Sequence, residues 1–256
     1  MNPRLRQRLV TTVGEASAFA GWMAWDRGDH STFQHLYRAA VMAARETNDP
    51  FRLACCLTDL SYMPSSRGDA RRAEHLLSQA SEHVTSTSYP AISAWVEARR
   101  AEELARLGDS VALPLIERSL THFAVSDPTV QHSWTNFFTP VRMDNFALNV
   151  YLYLGRRSDA EPLAKRAINS PGSAKFRPVM LADIAAVYLQ TGNFEMGTEI
   201  ASQAFDVACK MQSHWALGRL NNLHQLLRER ADHDQQAAQL IAQFSPFFAR
   251  KKNLHA

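Results

Sequence analysis

Apolar residues recur along this chain at spacings of three and four, the period of a helix with one buried face. Between Asp144 and Ala167 the pattern is clearest. Phe146, Leu148, Val150, Tyr151 and Leu154 make the apolar side of one helix, and Ala160, Leu163, Ala164, Ala167 and Ile168 that of the next. Gly155 separates the two, and a glycine there can take the left-handed conformation that closes a helix. Ser158 or Asp159 is the expected cap of the second helix. Pro162 would sit in its first turn, where a missing N–H costs nothing.

The same unit recurs. Its turns read RGDH at Gly28, RGDA at Gly68, LGDS at Gly108, LGRR at Gly155 and TGNF at Gly192, with a weaker copy, RADH, at Ala231. The steps between turns are about 40 residues, with one longer step after Gly108. A fixed period of this size predicts an all-α chain, an α-solenoid of about six antiparallel helical hairpins in a single domain spanning 1–256. The hairpins fall at 14–48, 51–84, 91–125, 141–170, 176–212 and 214–244. Residues Pro3 to Val13 read as a short basic helical lead-in. Ser31 or Thr32 is the expected cap of the second helix, which Asn48, Asp49 and Pro50 stop. Pro64 predicts a short or kinked helix, whereas Pro114 falls early enough to be tolerated. The longer step holds an insertion at 126–140 with Trp134, Phe137 and Phe138. Aromatics are unfavourable on an open surface, so the insertion should fold onto the array or cover a ligand.

Composition narrows the class without changing this picture. The hydrophobic fraction of 46% in 256 residues suffices for a core and argues against disorder. Lys and Arg number 28 against 25 Asp and Glu, with no long run of one sign, so no nucleic-acid surface is indicated. The basic tail Ala249, Arg250, Lys251, Lys252 reads as solvated. Cys55, Cys56 and Cys209 have neither metal-ligand spacing nor a disulfide framework and read as small buried hydrophobes, which fits a reducing compartment. The N-terminus lacks an apolar signal segment and no apolar run approaches membrane length, so a cytoplasmic protein that does not enter a membrane is expected.

The turn-centred pattern resembles the tetratricopeptide repeat (TPR) family. The fourth hairpin carries the resemblance with Ala147, Leu148, Tyr151, Gly155 and Ala160. The fifth does so with Leu181, Ile184, Ala185, Tyr188, Gly192 and Phe194, and has Gly197 where the family has alanine; the first matches at Ala20, Gly21 and Gly28. The resemblance implies a TPR-like right-handed superhelix. The segment from Ala20 to Pro50, together with SYMPSSRGDARRAEHLL, SWTNFF and YLYLGRRSDAEPLAKRAI, is also similar to the C-terminal sensor region of actinobacterial helix-turn-helix regulators. Those proteins carry a DNA-binding domain ahead of the repeats. Here the first repeat follows Met1 almost at once, so direct DNA binding is not expected.

No catalytic motif is present: no phosphate-binding loop, dinucleotide fingerprint, HExxH, GxSxG or CxxC. Histidines such as His30, His35, His75 and His83 have no paired carboxylate or thiol at ligand spacing, so neither a metal nor a cofactor is expected. Geometry says more. In a stacked array the first helix of each hairpin lines the concave side. Counting back from each turn by the helical period selects Trp22, Trp25 and Asp26; Thr58, Tyr62 and Ser65; Trp95, Glu102 and Arg106; Arg142, Asn145, Asn149 and Tyr153; and Asn221 and Gln225. The tryptophans and Tyr62 would form an apolar floor. The asparagines offer both a donor and an acceptor to a peptide amide, and an arginine suits a carboxylate. The groove therefore fits a peptide, a small molecule or a partner protein, and the expected role is a non-catalytic, regulatory binding or sensor module. The alternatives are a transcriptional regulator acting through a DNA-binding partner, and an accessory biosynthetic enzyme with its active site in the groove. A homodimer is expected, through a terminal hairpin or the aromatic insertion.

Overall fold

In the computed structural model, five of the described turns between helices are closed by a glycine in the left-handed conformation. The structure describes residues 2–85, 89–126, 138–170, 174, 176–228 and 235–252. Gly28, Gly68, Gly108, Gly155 and Gly192 have φ between 72° and 91°, a region where a Cβ is strained. At Gly28 the chain makes both bonds of a Schellman motif: Gly28 N–H donates to Trp25 C=O (2.9 Å) and Asp29 N–H to Ala24 C=O (2.9 Å). Asn48 takes the glycine's role before Pro50, with φ of 49°.

At three of these turns the residue after the glycine caps the next helix. Asp29 accepts from Thr32 N–H (3.0 Å), Asp69 from Arg72 N–H (3.0 Å) and Asn193 from Met196 N–H (3.3 Å). This corrects the expected cap at Ser31 or Thr32: the aspartate at the end of the turn reaches the free N–H groups first, and Thr32 is its donor. The cap expected at Ser158 or Asp159 is corrected as well. That helix begins at Arg157, so Pro162 lies inside it rather than in its first turn. The Arg156 side chain holds Asp159 across the start, at 2.6 Å.

Two compact units result, Met1–Gly155 and Arg156–Ala256. The first contains α1 (Pro3–Asp26), α2 (His30–Glu46), α3 (Pro50–Leu60), α4 (Tyr62–Ser66), α5 (Ala70–Ser81), α6 (Pro90–Arg106), α7 (Ala112–Ala124) and α8 (Pro140–Tyr153). The basic lead-in is not a separate segment but the first half of α1. The break between α3 and α4 lies at Ser61, three residues before Pro64, as its missing N–H requires. Within this unit α1 packs on α2, α2 on α3, α5 on α6 and α6 on α7, and α6 also packs on α3 and α8. Gly14 and Gly21 let α2 come close: a Cβ on Gly21 would lie 2.7 Å from the Tyr37 ring. Of the aromatic insertion, Trp134 and Phe137 lie outside the described residues. Phe138 is buried between Phe123 (5.0 Å) and Phe146 (6.0 Å).

The second unit contains α9 (Arg157–Ile168), α10 (Arg177–Thr191), α11 (Phe194–Met211), α12 (His214–Arg228) and α13 (Gln235–Lys252). There α10 packs on α9, α11 and α12, and Phe205 stacks on Phe244 at 4.6 Å. The turn at Ala231 lies outside the described residues. The described residues contain no strand, and none of their helices is long and apolar enough to cross a membrane.

Candidate functional site

The central helix of the first unit, α6, is buried around nearly its whole circumference, charges included. Arg99, Glu102 and Glu103 have no exposed surface. Their spacing of three and four residues puts them on one side of the helix, where the Arg99 guanidinium pairs with Glu102 and with Glu103 (2.8 Å). Arg106, one turn on, lies 3.7 Å from Glu102 and donates to Ser65 C=O at 3.4 Å. Two cations thus meet two carboxylates. Burial alone would depress the basicity of Arg99, but Glu102 and Glu103 overcome it and hold the guanidinium more firmly charged than usual.

Neighbouring helices extend this cluster. From α4, Tyr62 lies beneath Arg99, with the guanidinium carbon 4.3 Å from the ring centre, and Ser65 donates to Glu103 at 2.6 Å. Ser61, at the junction with α3, accepts from Arg99 at 3.4 Å. From α8, Asn149 donates to Glu102 at 3.3 Å, and Tyr153 offers its ring to Arg106 at 4.9 Å. From α1, Trp22 meets Tyr62 edge-on at 5.7 Å. The result is one strip of linked side chains crossing α1, α4, α6 and α8. Its middle is buried, whereas Trp22 and Arg106 are half-buried and Tyr153 is 37% exposed. Arg99 Nε, Glu103 Oε2 and Arg106 Nε are buried and have no hydrogen-bond partner among the described residues.

Of the residues picked from sequence, the strip gathers Trp22, Tyr62, Ser65, Glu102, Arg106, Asn149 and Tyr153. Arg142 and Asn145 pair on α8, buried and joined at 2.6 Å, with the guanidinium 4.2 Å from the Phe146 ring. Trp95 is buried on α6, and Thr58 is buried with its hydroxyl donating to Ala54 C=O in its own helix at 2.8 Å. Trp25 faces α2 rather than the strip, packing on Phe33 at 5.1 Å, because its position turns it to the side carrying Gly21. Asp26 is half-buried at the end of α1. Asn221, half-buried, and Gln225, exposed, belong to α12 in the second unit.

Counting from the turns missed Arg99, Glu103 and Ser61. The available signal was the run Arg99, Glu102, Glu103, Arg106, whose spacing is that of intrahelical ion pairs.

A second buried carboxylate, Asp59 on α3, accepts from the Tyr37 hydroxyl at 2.9 Å. Burial pushes its carboxyl up to about 7, against the opposing pull of Tyr37 and Arg99. Cys55 and Cys56 on the same helix are free thiols, and burial pushes both up. Among the described residues, no three His, Cys, Asp or Glu side chains gather as a metal site requires. No protein-family model, curated protein or solved structure matches the chain.

Proposed function

We propose that the first unit is a TPR-like binding module that takes a short peptide, as a free ligand or as a segment of a partner protein, along the strip from Trp22 to Tyr153. Its role is recognition and regulation through that partner, not chemistry. The packing of α3 on α6 and of α6 on α8 supports reading the hairpins as a TPR-like stack with first helices side by side, and α10 on α12 supports the same reading within the second unit.

The observation that carries the reading is the burial of two opposite-charge pairs and an amide in a single linked chain. Stability alone does not favour this, since apolar side chains of similar volume usually serve a core as well or better. Recognition does favour it. The buried pairs hold the accessible groups, Trp22 at one end and Arg106 with Tyr153 at the other, in fixed positions, which suits a peptide bearing apolar side chains and a carboxylate. Arg106 and Tyr153 form the accessible margin, where a peptide carboxylate would pair with the guanidinium.

Screening the purified chain against a library of end-capped hexapeptides by thermal shift and calorimetry tests this. A binding peptide at hundredfold excess over its Kd should raise Tm by about 5–10 °C. Arg106→Ala and Asn149→Ala should each weaken it about tenfold. A library with no binder, or binders that hold the variants as tightly as the native chain, overturns the reading.

A further inference from the structure

The outer side of α1 carries a second pattern, independent of the strip. Its buried residues Gly14, Ala18, Gly21, Ala24 and Trp25 face α2. About 180° away around the helix lie Leu5, Leu9, Thr12, Ala16, Phe19 and Met23. All six are exposed: Leu5 57%, Leu9 53%, Phe19 71% and Met23 52% among the large ones. They succeed one another at intervals of four, three, four, three and four residues. That is the seam of a coiled coil, sustained for about three heptads on a side that no other helix of the unit covers. A solvated face has no reason to keep this order.

We infer that this seam pairs with the same seam of a second copy of the chain, the two α1 helices running antiparallel about a two-fold axis. Reversal makes the seam complementary to itself. Leu5 meets Met23 of the second copy, Leu9 meets Phe19, and the small Thr12 and Ala16 meet at the centre, where they let the backbones approach. The charges select this direction. Arg4, Arg6 and Arg8 cluster at the start of α1, Arg6 paired with Glu46, while Asp26 ends it, with Arg27 and Asp29 just beyond. A parallel pair would bring six arginines together at two positive helix ends. The antiparallel pair sets each basic end against the other helix's C-terminal end, where the helix dipole is negative and two aspartates stand against one arginine. An isologous contact of this kind closes on itself as a dimer.

Equilibrium sedimentation of the full chain should give twice the 28.8 kDa mass of one copy. Phe19→Glu and Leu9→Glu, both at exposed positions, should give the monomer with unchanged helical circular dichroism. Direction is read by cross-linking. The double variant Leu9→Cys, Phe19→Cys should form an inter-chain disulfide on mild oxidation, at least tenfold more than either single variant or the native chain. The native Cys55 and Cys56 are buried. Four results would overturn the inference: a native chain that stays monomeric at the highest concentration it tolerates, a dimer that survives Phe19→Glu, cross-linking in the single Leu9→Cys variant to the same extent, or a monomer that sediments with phosphatidylserine-containing vesicles through α1. None of these bears on peptide binding at the strip.

Discussion

Asp59 gives the chain a buried group whose titration contributes to its pH response. Its carboxyl is buried in α3 and held near 7, while in an unfolded chain an aspartate titrates near 4. Between these values the native state keeps a proton that the unfolded state has lost. The contribution of Asp59 to stability is therefore greatest at the acid side of this window and falls as pH rises through it, by up to ~1.4 kcal/mol per pH unit, then levels off above about 7. Asn resembles the protonated acid and still accepts from the Tyr37 hydroxyl. Asp59→Asn should remove this contribution to the slope: measured by urea unfolding, the native chain loses stability between pH 5 and pH 8, and the variant loses less and is at least as stable at pH 8. Equal slopes would show that Asp59 does not titrate in the window. The sequence gives little warning of this, because Asp59 falls outside the positions that counting from the turns selects. Arg99 is hidden for the same reason: a single periodic face was counted, whereas α6 is buried on almost all sides. Asn145 and Asn149 stand out in the sequence because two asparagines on one face of a helix interior are locally unfavourable, whereas Glu102 is selected only by counting back from the Gly108 turn.

At the scale of the element, the turns were the most legible feature. A glycine followed by Asp or Asn carries its own physics, since the first must be left-handed and the second must reach the free N–H groups of the next helix. The capping residue was less legible where a serine or threonine stood nearby as a rival, as at Ser31 and Thr32. The departures from the repeat pattern are explained by packing. Gly197 stands where the TPR pattern expects alanine. In the structure a Cβ there would lie 2.8 Å from the Leu189 side chain and 3.0 Å from its backbone nitrogen. The close approach of α11 to α10 therefore depends on the missing side chain. Gly197→Ala gains helix propensity of up to ~1 kcal/mol yet should be destabilising by about 1–3 kcal/mol on balance, because the backbone of α10 has to move. Gly108→Ala provides the contrast. Nothing lies within 4 Å of its Cβ position, so only the left-handed conformation opposes it. It should cost about 1–2 kcal/mol. Chemical denaturation checks both, and a Gly197→Ala variant as stable as the native chain would show that α10 and α11 can separate freely.

At the scale of the molecule, the repeat period predicted helices and turns in order but not the division at Gly155, whose turn obeys the same glycine rule as the others. Nor did the period disclose the seam on α1. From sequence Pro3–Val13 reads as a lead-in apart from the first hairpin, and the heptad spacing is visible only when the helix is read as continuous to Asp26. If that seam joins two copies, folding and association are linked, and thermal stability has to depend on protein concentration. Each tenfold increase in concentration adds at most ~1.4 kcal/mol per dimer, or ~0.7 kcal/mol per chain, which for a chain of this size corresponds to a rise in Tm of roughly 1.5–3 °C. Scanning calorimetry over two decades of concentration should show that drift for the native chain. It should show none for Phe19→Glu, which also melts lower at the high end because it lacks the added term. A native chain whose Tm stays flat while it sediments as a dimer would mean that the pair outlasts unfolding of its own helices, which a seam made of α1 does not permit.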